Sequence, residues 1–296
     1  MTAVLEHAGP AEAEPRREPW RATPILWALP PLVVVLVIIV YPLLRVLSNS
    51  VEGVRNSTWS AVLASTMFQR ALVTTAHIAV LTTIGALVLG TFIALVLSFV
   101  PFPGSELVGR LIDTVLALPS FLITLAFTFL YGTAGAVNAV VASISEGSRP
   151  LDFLSSPTGV ILAEVTFFTP FVVRPLLAAF ATVPREQLDV AASLGASPWR
   201  VLRTVVMPEA WPALMAGGSL VLLLALNEFG IVLFTGAKEV VTLPVLIYTR
   251  GIVTFDLPGA AVIAAVQVVL SLALYGLYRI IFSRMVSGRS THSKGA

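Results

Sequence analysis

Six stretches of this chain are each long enough to cross a bilayer as a helix, and none carries more than two Asp, Glu, Lys or Arg. They are Ile25–Leu44, Ala76–Val100, Thr114–Tyr131, Thr158–Val183, Pro212–Phe234 and Pro258–Tyr278. A helix rises about 1.5 Å per residue, so about 20 apolar residues span the roughly 30 Å of hydrocarbon. The stretches are rich in β-branched residues, which in water would favour strands. Their lengths of 18 to 26 residues decide against that, because strands average about 5–6 residues. The alternation of an outer-membrane barrel is absent as well. Composition agrees: 57% of residues are hydrophobic and 11% charged, against about 25% charged in soluble domains. The expected fold is an all-α polytopic membrane protein with about six spans.

Basic residues set the expected orientation. With the N-terminus inside, the inner segments hold Arg16, Arg17, Arg21, Arg110, Arg185, Arg200, Arg203, Arg279, Arg284, Arg289 and Lys294, and the outer ones Arg55, Arg70, Arg149, Lys238 and Arg250. Arg45 and Arg174 fall within spans and are not counted. Eleven against five predicts both termini in the cytoplasm. Residues 1–23, with four Glu and three Arg among Ala and Pro, read as a disordered cytoplasmic tail. The first apolar run begins only at residue 25 and is longer than an ordinary signal core, so it is expected to be retained rather than cleaved as a signal. Residues 24–284 form the expected transmembrane domain, and 285–296 a cytoplasmic C-terminal tail.

Several chemistries are excluded. There is no cysteine, and His7, His77 and His292 stand apart from one another and from carboxylates at ligand spacing. No G-x-x-x-x-G-K-[ST] loop, G-x-S-x-G elbow or H-E-x-x-H helix occurs. The chain is therefore expected to bind no cofactor or metal, to bind no nucleic acid and not to be an enzyme. A conduit, a receptor or an anchor is left.

Residues 189–208, DVAASLGASPWRVLRTVVMP, lie in the expected cytoplasmic connection between spans four and five. Leu188, Ala191, Ala192, Gly195 and Ala196 recur at i, i+3, i+4, i+7 and i+8, one small-residued helix face. Gly195 suits a helix end, and Ser197-Pro198 an N-cap with a first-turn proline opening a second short helix through Trp199–Val206. On the residues alone, two readings stand: a docking elbow, or a loop packed on its own bundle.

The stretch resembles the signature loop of ABC-importer permeases, the binding-protein-dependent inner-membrane components. Their pattern is matched by Asp189, Val190, Ala191, Gly195, Val205, Met207 and Pro208, with Asp for the usual Glu, Val for the first Ala and Met for Leu. The resemblance runs from about Ala71 to Ile281. It implies the type I importer permease fold in a bacterial inner membrane, and a coupling elbow over residues 184–208. The elbow would dock through Glu186, Asp189, Ala191, Ala192, Gly195, Ala196, Trp199, Arg200 and Pro208 on a separate ATPase dimer, which would hold ATP and Mg. It also implies a second permease copy or a sister permease, and an extracytoplasmic solute-binding protein.

Charged groups inside spans cost about 2.5–3.5 kcal/mol each on insertion scales and usually face a cavity or a partner. Glu164, Arg174 and the Asn227-Glu228 pair are therefore candidate pathway residues. Glu164 and Arg174 are ten residues apart, about 280° around a helix, and so should not face each other. Arg174 lies between Pro170 and Pro175, whose freed carbonyls it could satisfy. Asp113 reads as an interfacial cap. The run from Leu226 to Lys238, with Thr242-Leu243-Pro244 and Ile247-Tyr248, most resembles permeases for 2-aminoethylphosphonate. Sulfate, molybdate and ferric-iron permeases are alternatives in the same group. A proton-coupled secondary carrier is the alternative from a different class.

Overall fold

A computed structural model describes residues 23–55, 58–144, 154, 156–237 and 240–290. Among them every regular element is helical. The helices are α1 Thr23–Arg55, α2 Thr58–Ala64, α3 Thr66–Phe99, α4 Ser105–Ala117, α5 Ser120–Tyr131, α6 Ala136–Ile144 and α7 Pro157–Ala181. They continue as α8 Arg185–Ser193, α9 Pro198–Val201, α10 Met207–Leu226, α11 Gly230–Thr235, α12 Leu243–Tyr248 and α13 Leu257–Ser290. Six helical stretches are long and apolar enough to cross a membrane: Trp27–Ser50, Thr66–Phe99, Ser120–Ile144, Pro157–Ala181, Pro198–Leu226 and Leu257–Arg284. The expected tail through residue 22 and the last six residues lie outside the described residues. α13 itself continues as helix to Ser290, past the expected domain end at 284.

The chain divides into two bodies, one ending at Leu47 and one beginning at Ser48. The first is most of α1, with Pro30, Pro31 and Pro42 inside the helix. Residues 32–41 of it are apolar throughout.

The second body is built on α3, α7 and α10. Ala79, Ala86 and Ala94 of α3 are fully buried and belong to the same core as Phe168, Val172 and Leu176 of α7. Small residues matter here because water supplies no hydrophobic drive between spans, and close backbone packing takes its place. At Gly90, an added Cβ would lie 2.7 Å from Val172 Cβ; at Gly217, 3.3 Å from Phe171 O. These two contacts draw α3 and α10 against α7 around Val172.

Two spans differ from their expected limits. The third was expected to end at Tyr131. The chain instead breaks at Leu118-Pro119, where the helix-ending Leu118 N–H bonds Val115 O, and the span runs from Ser120 to Ile144 through a turn at 132–135. Pro119 cannot donate to the carbonyl four residues back, so α4 separates as a helix with no buried residue. The fifth span was expected to open at Pro212, but its helix begins at Pro198. Residues Leu202–Val206 form a π-helical turn closed by Met207 N–H to Leu202 O. Widening at this point spares the helix the clash that the ring of Pro208 would make with the carbonyl of Thr204.

Candidate functional site

The elbow at residues 184–208 is assembled by local chemistry. After α8, Ala196 N–H bonds Ala191 O at 3.0 Å and Gly195 N–H bonds Ala192 O at 2.9 Å. This is the Schellman pair, with Gly195 as the residue past the helix end. Its φ is +75°, a left-handed geometry that costs a side-chain-bearing residue about 1–2 kcal/mol. The Ser197 hydroxyl then accepts Arg200 N–H, and Pro198 occupies the first turn of α9. The expected turn and cap are both present. The second short helix, however, has no end of its own: it flows through the π turn into the fifth span.

The small face does not stay together. Leu188, Ala192, Ala196 and Trp199 line a cleft whose other wall is the end of α3, from Phe92 to Val100. Glu186, Asp189, Gly195 and Arg200 lie outside that lining and are exposed, while Ala191 is half-buried. Beside them Leu194 is 81% exposed and Val190 59%, so this side of the elbow presents large apolar groups without a cover among the described residues. Pro208 is exposed in the first turn of α10, where its geometric part is the π turn.

The intramembrane polar residues occupy three separate places. Glu164, fully buried on α7, accepts the Thr82 hydroxyl of α3 at 2.8 Å. It lies inside the α3–α7 contact rather than on an open wall. Arg174 forms an ion pair with Asp113 and donates to Gly109 O at 2.9 Å. Both partners are on α4, so Arg174 takes a carbonyl there rather than one freed by its flanking prolines, and Asp113 is its counter-ion rather than an interfacial cap. Arg174 and Asp113 fasten the outlying α4 to the core. Arg174→Met is expected to weaken this attachment by about 1.5–3 kcal/mol, the range for a hydrogen bond to a charged group. The thermal midpoint of the purified protein should fall while substrate preference is unchanged; altered preference at unchanged stability would contradict the role.

The third place is the interruption of the fifth span. α10 stops at Leu226 and α11 starts at Gly230. Glu228 Oε1 accepts Ile231 N–H at 2.8 Å and the Ser120 hydroxyl at 3.0 Å. It thereby caps α11 and ties the interruption to the start of α5. On the other side, Gln267 of α13 donates to Leu226 O at 2.6 Å. A broken helix in a bilayer leaves backbone groups that water cannot reach, and these side chains supply the partners. Asn227 bonds back to Leu223 O at 2.8 Å and is exposed. Of the four pathway candidates it has the most open surface. Thr82, Ser120 and Gln267 were missed in the sequence; the lone amide of Gln267 in the sixth apolar run was the available signal.

Residues 86–287 match the family described as binding-protein-dependent transport system inner membrane component. A relative from Salmonella typhimurium strain LT2, provisionally named 2-aminoethylphosphonate transport system permease protein PhnU, is 50% identical over 266 residues, covering 88% of this chain and 93% of its own. The sulfate transport system permease protein CysT of a Synechocystis strain is 28% identical over 282 residues, covering 93% and 94%. Among solved structures, a chain of the bacterial alginate ABC transporter in complex with an alginate-bound periplasmic protein superposes with a TM-score of 0.78 at 18% identity, covering 90% of this chain and 96% of that one. A chain of the MetNI methionine ABC transporter gives 0.53 at 19% identity, covering 75% and 95%. These two likenesses are of fold.

Proposed function

The chain belongs to the binding-protein-dependent transport inner-membrane components, and from that premise we propose that it forms part of the import path for 2-aminoethylphosphonate. The observation carrying the substrate is the 50% identity over nearly the whole length of the PhnU relatives, against 28% to the sulfate permease. The conduit is a transport subunit. ATP and Mg belong to a separate ATPase dimer, and a solute-binding protein presents the cargo from outside. A second permease, identical or a sister chain, completes the path.

In this reading the exposed side of the elbow meets the ATPase. Glu186, Asp189, Ala191, Gly195 and Arg200 contribute small or charged contacts, with Val190 and Leu194 as apolar neighbours. Asn227 faces the path, and Glu228 holds the interruption that exposes it. Glu164 and Arg174 act on the bundle's packing. The secondary-carrier alternative leaves the elbow without a task.

Reconstitution with the co-expressed ATPase and binding protein tests the assignment. Uptake of labelled 2-aminoethylphosphonate should require ATP and resist excess sulfate. Sulfate uptake in its place would move the chain to the other branch of the group. Topology is checked separately in the natural cysteine-free background. Ser197→Cys should react only with a reagent admitted to the cytoplasmic side; labelling from outside would reverse the orientation.

A further inference from the structure

The cleft under the elbow is a feature that the transport reading leaves unused. It has a volume of about 540 Å³, within the roughly 300–1,000 Å³ range of ligand sites. One wall is Phe92, Leu95 and Phe99 of α3; the other is Leu188, Trp199 and Leu202 of the elbow. Two observations identify an occupant. First, the cleft continues an exposed apolar stripe on α3, through Ile84, Val88 and Phe92 at 52%, 67% and 63% exposure. Their spacing of four residues keeps them on one side of a membrane-crossing helix. An acyl chain lying along that side runs into the cleft.

Second, the two arms of the elbow carry cations beside the apolar lining. Arg185 lies three residues before Leu188 and seven before Ala192, on the same side of α8 as both. Arg203 lies one residue after Leu202 and four after Trp199. Both arginines are exposed, and no ion pair to either is present among the described residues. On α8, Asp189 is about 80° from the middle of the Leu188–Ala192 side and Glu186 about 140°, whereas Arg185 is about 40° away. Trp199, 70% exposed at the mouth, has the apolar body and polar edge that suit the boundary between headgroup and hydrocarbon.

We propose that the cleft between the end of α3 and the elbow holds an anionic phospholipid of the cytoplasmic leaflet, with one acyl chain against Phe92 and Trp199 and the phosphate between Arg185 and Arg203. The elbow then moves against a lipid wedge rather than free of the membrane. The idea rests on the cytoplasmic placement of the elbow, which labelling at Ser197 decides independently of the lipid experiment.

The test uses the full chain in nanodiscs and fluorescence quenching by brominated acyl chains. The contribution of Trp199 is the difference between the unaltered chain and Trp199→Phe. Brominated phosphatidylglycerol should quench that component at lower mole fraction than brominated phosphatidylcholine, by about thirtyfold for two arginines at a charged surface. Arg185→Gln with Arg203→Gln should abolish the headgroup preference, while Arg185→Lys with Arg203→Lys should keep most of it. If the glutamine pair does not fold, the comparison of headgroups on the unaltered and lysine proteins still decides. Equal quenching by both lipids overturns the proposal. Absence of quenching by either also overturns it, and means that protein, such as a second copy of the chain, covers the cleft.

Discussion

Gly90→Leu is expected to abolish accumulation of folded protein in the membrane. The position lies on α3 where that helix crosses α7. A Cβ there would sit 2.7 Å from Val172 Cβ and 2.9 Å from its Cγ1, with the Thr169 carbonyl at 3.2 Å. Val172 is fully buried and β-branched, and Thr169 O is backbone, so neither can swing aside. Overpacking of this kind typically costs about 1–3 kcal/mol and sometimes more. Here the only relief is separation of α3 from α7, which would also disturb the Thr82–Glu164 bond two turns away. Gly276→Leu is the matching control, since an added Cβ on α13 would meet nothing within 4 Å among the described residues. Fluorescence-detected size exclusion should show a monodisperse peak for Gly276→Leu and aggregate or nothing for Gly90→Leu. A normal peak for the latter would mean that the α3–α7 crossing is looser than its geometry states.

The contrast between these two glycines explains what was legible in the chain and what was not. Span existence was readable because it depends on a length and a composition, both local. So was the elbow turn: Gly195, Ser197 and Pro198 each act within a few residues of themselves, and each occupies the role its chemistry indicates. Span limits were less readable. Gly132 to Gly135 resembles the end of a helix, yet the third span resumes at Ala136 because α6 is itself apolar. Pro208 and Pro212 resemble a break, yet the helix passes both after widening at Leu202–Val206. Pairings across the fold were not readable at all. Thr82 meets Glu164, Ser120 meets Glu228 and Gln267 meets Leu226, across 82, 108 and 41 residues. The burial of Glu164 against α3 therefore could not be told from a place on an open path. Likewise, one helical face of small residues gave no sign that Ala192 and Ala196 turn toward α3 while Gly195 turns away.

Gly195→Leu is expected to leave the protein folded and inserted but unable to couple ATP hydrolysis to uptake. Two effects combine at this residue, and they can be separated. The backbone effect belongs to any side chain: with φ at +75°, even alanine bears the left-handed penalty of about 1–2 kcal/mol. That strain loosens the Schellman pair and the angle between α8 and α9. The second effect depends on size. Among the described residues, a Cβ at Gly195 would find nothing within 4 Å, so none of them resists leucine more than alanine. Any loss for Gly195→Leu beyond Gly195→Ala must then arise from a surface outside the chain, the ATPase in the reading above. Binding-protein-stimulated ATPase activity and uptake should fall moderately in Gly195→Ala and to background in Gly195→Leu, with equal amounts of permease in the membrane. The affinity of the separate binding protein for its cargo should be the same throughout. Equal deficits in the two variants would leave strain as the whole effect and remove the close contact at Gly195. Full activity in both would mean that neither the left-handed turn nor the open space around it serves coupling.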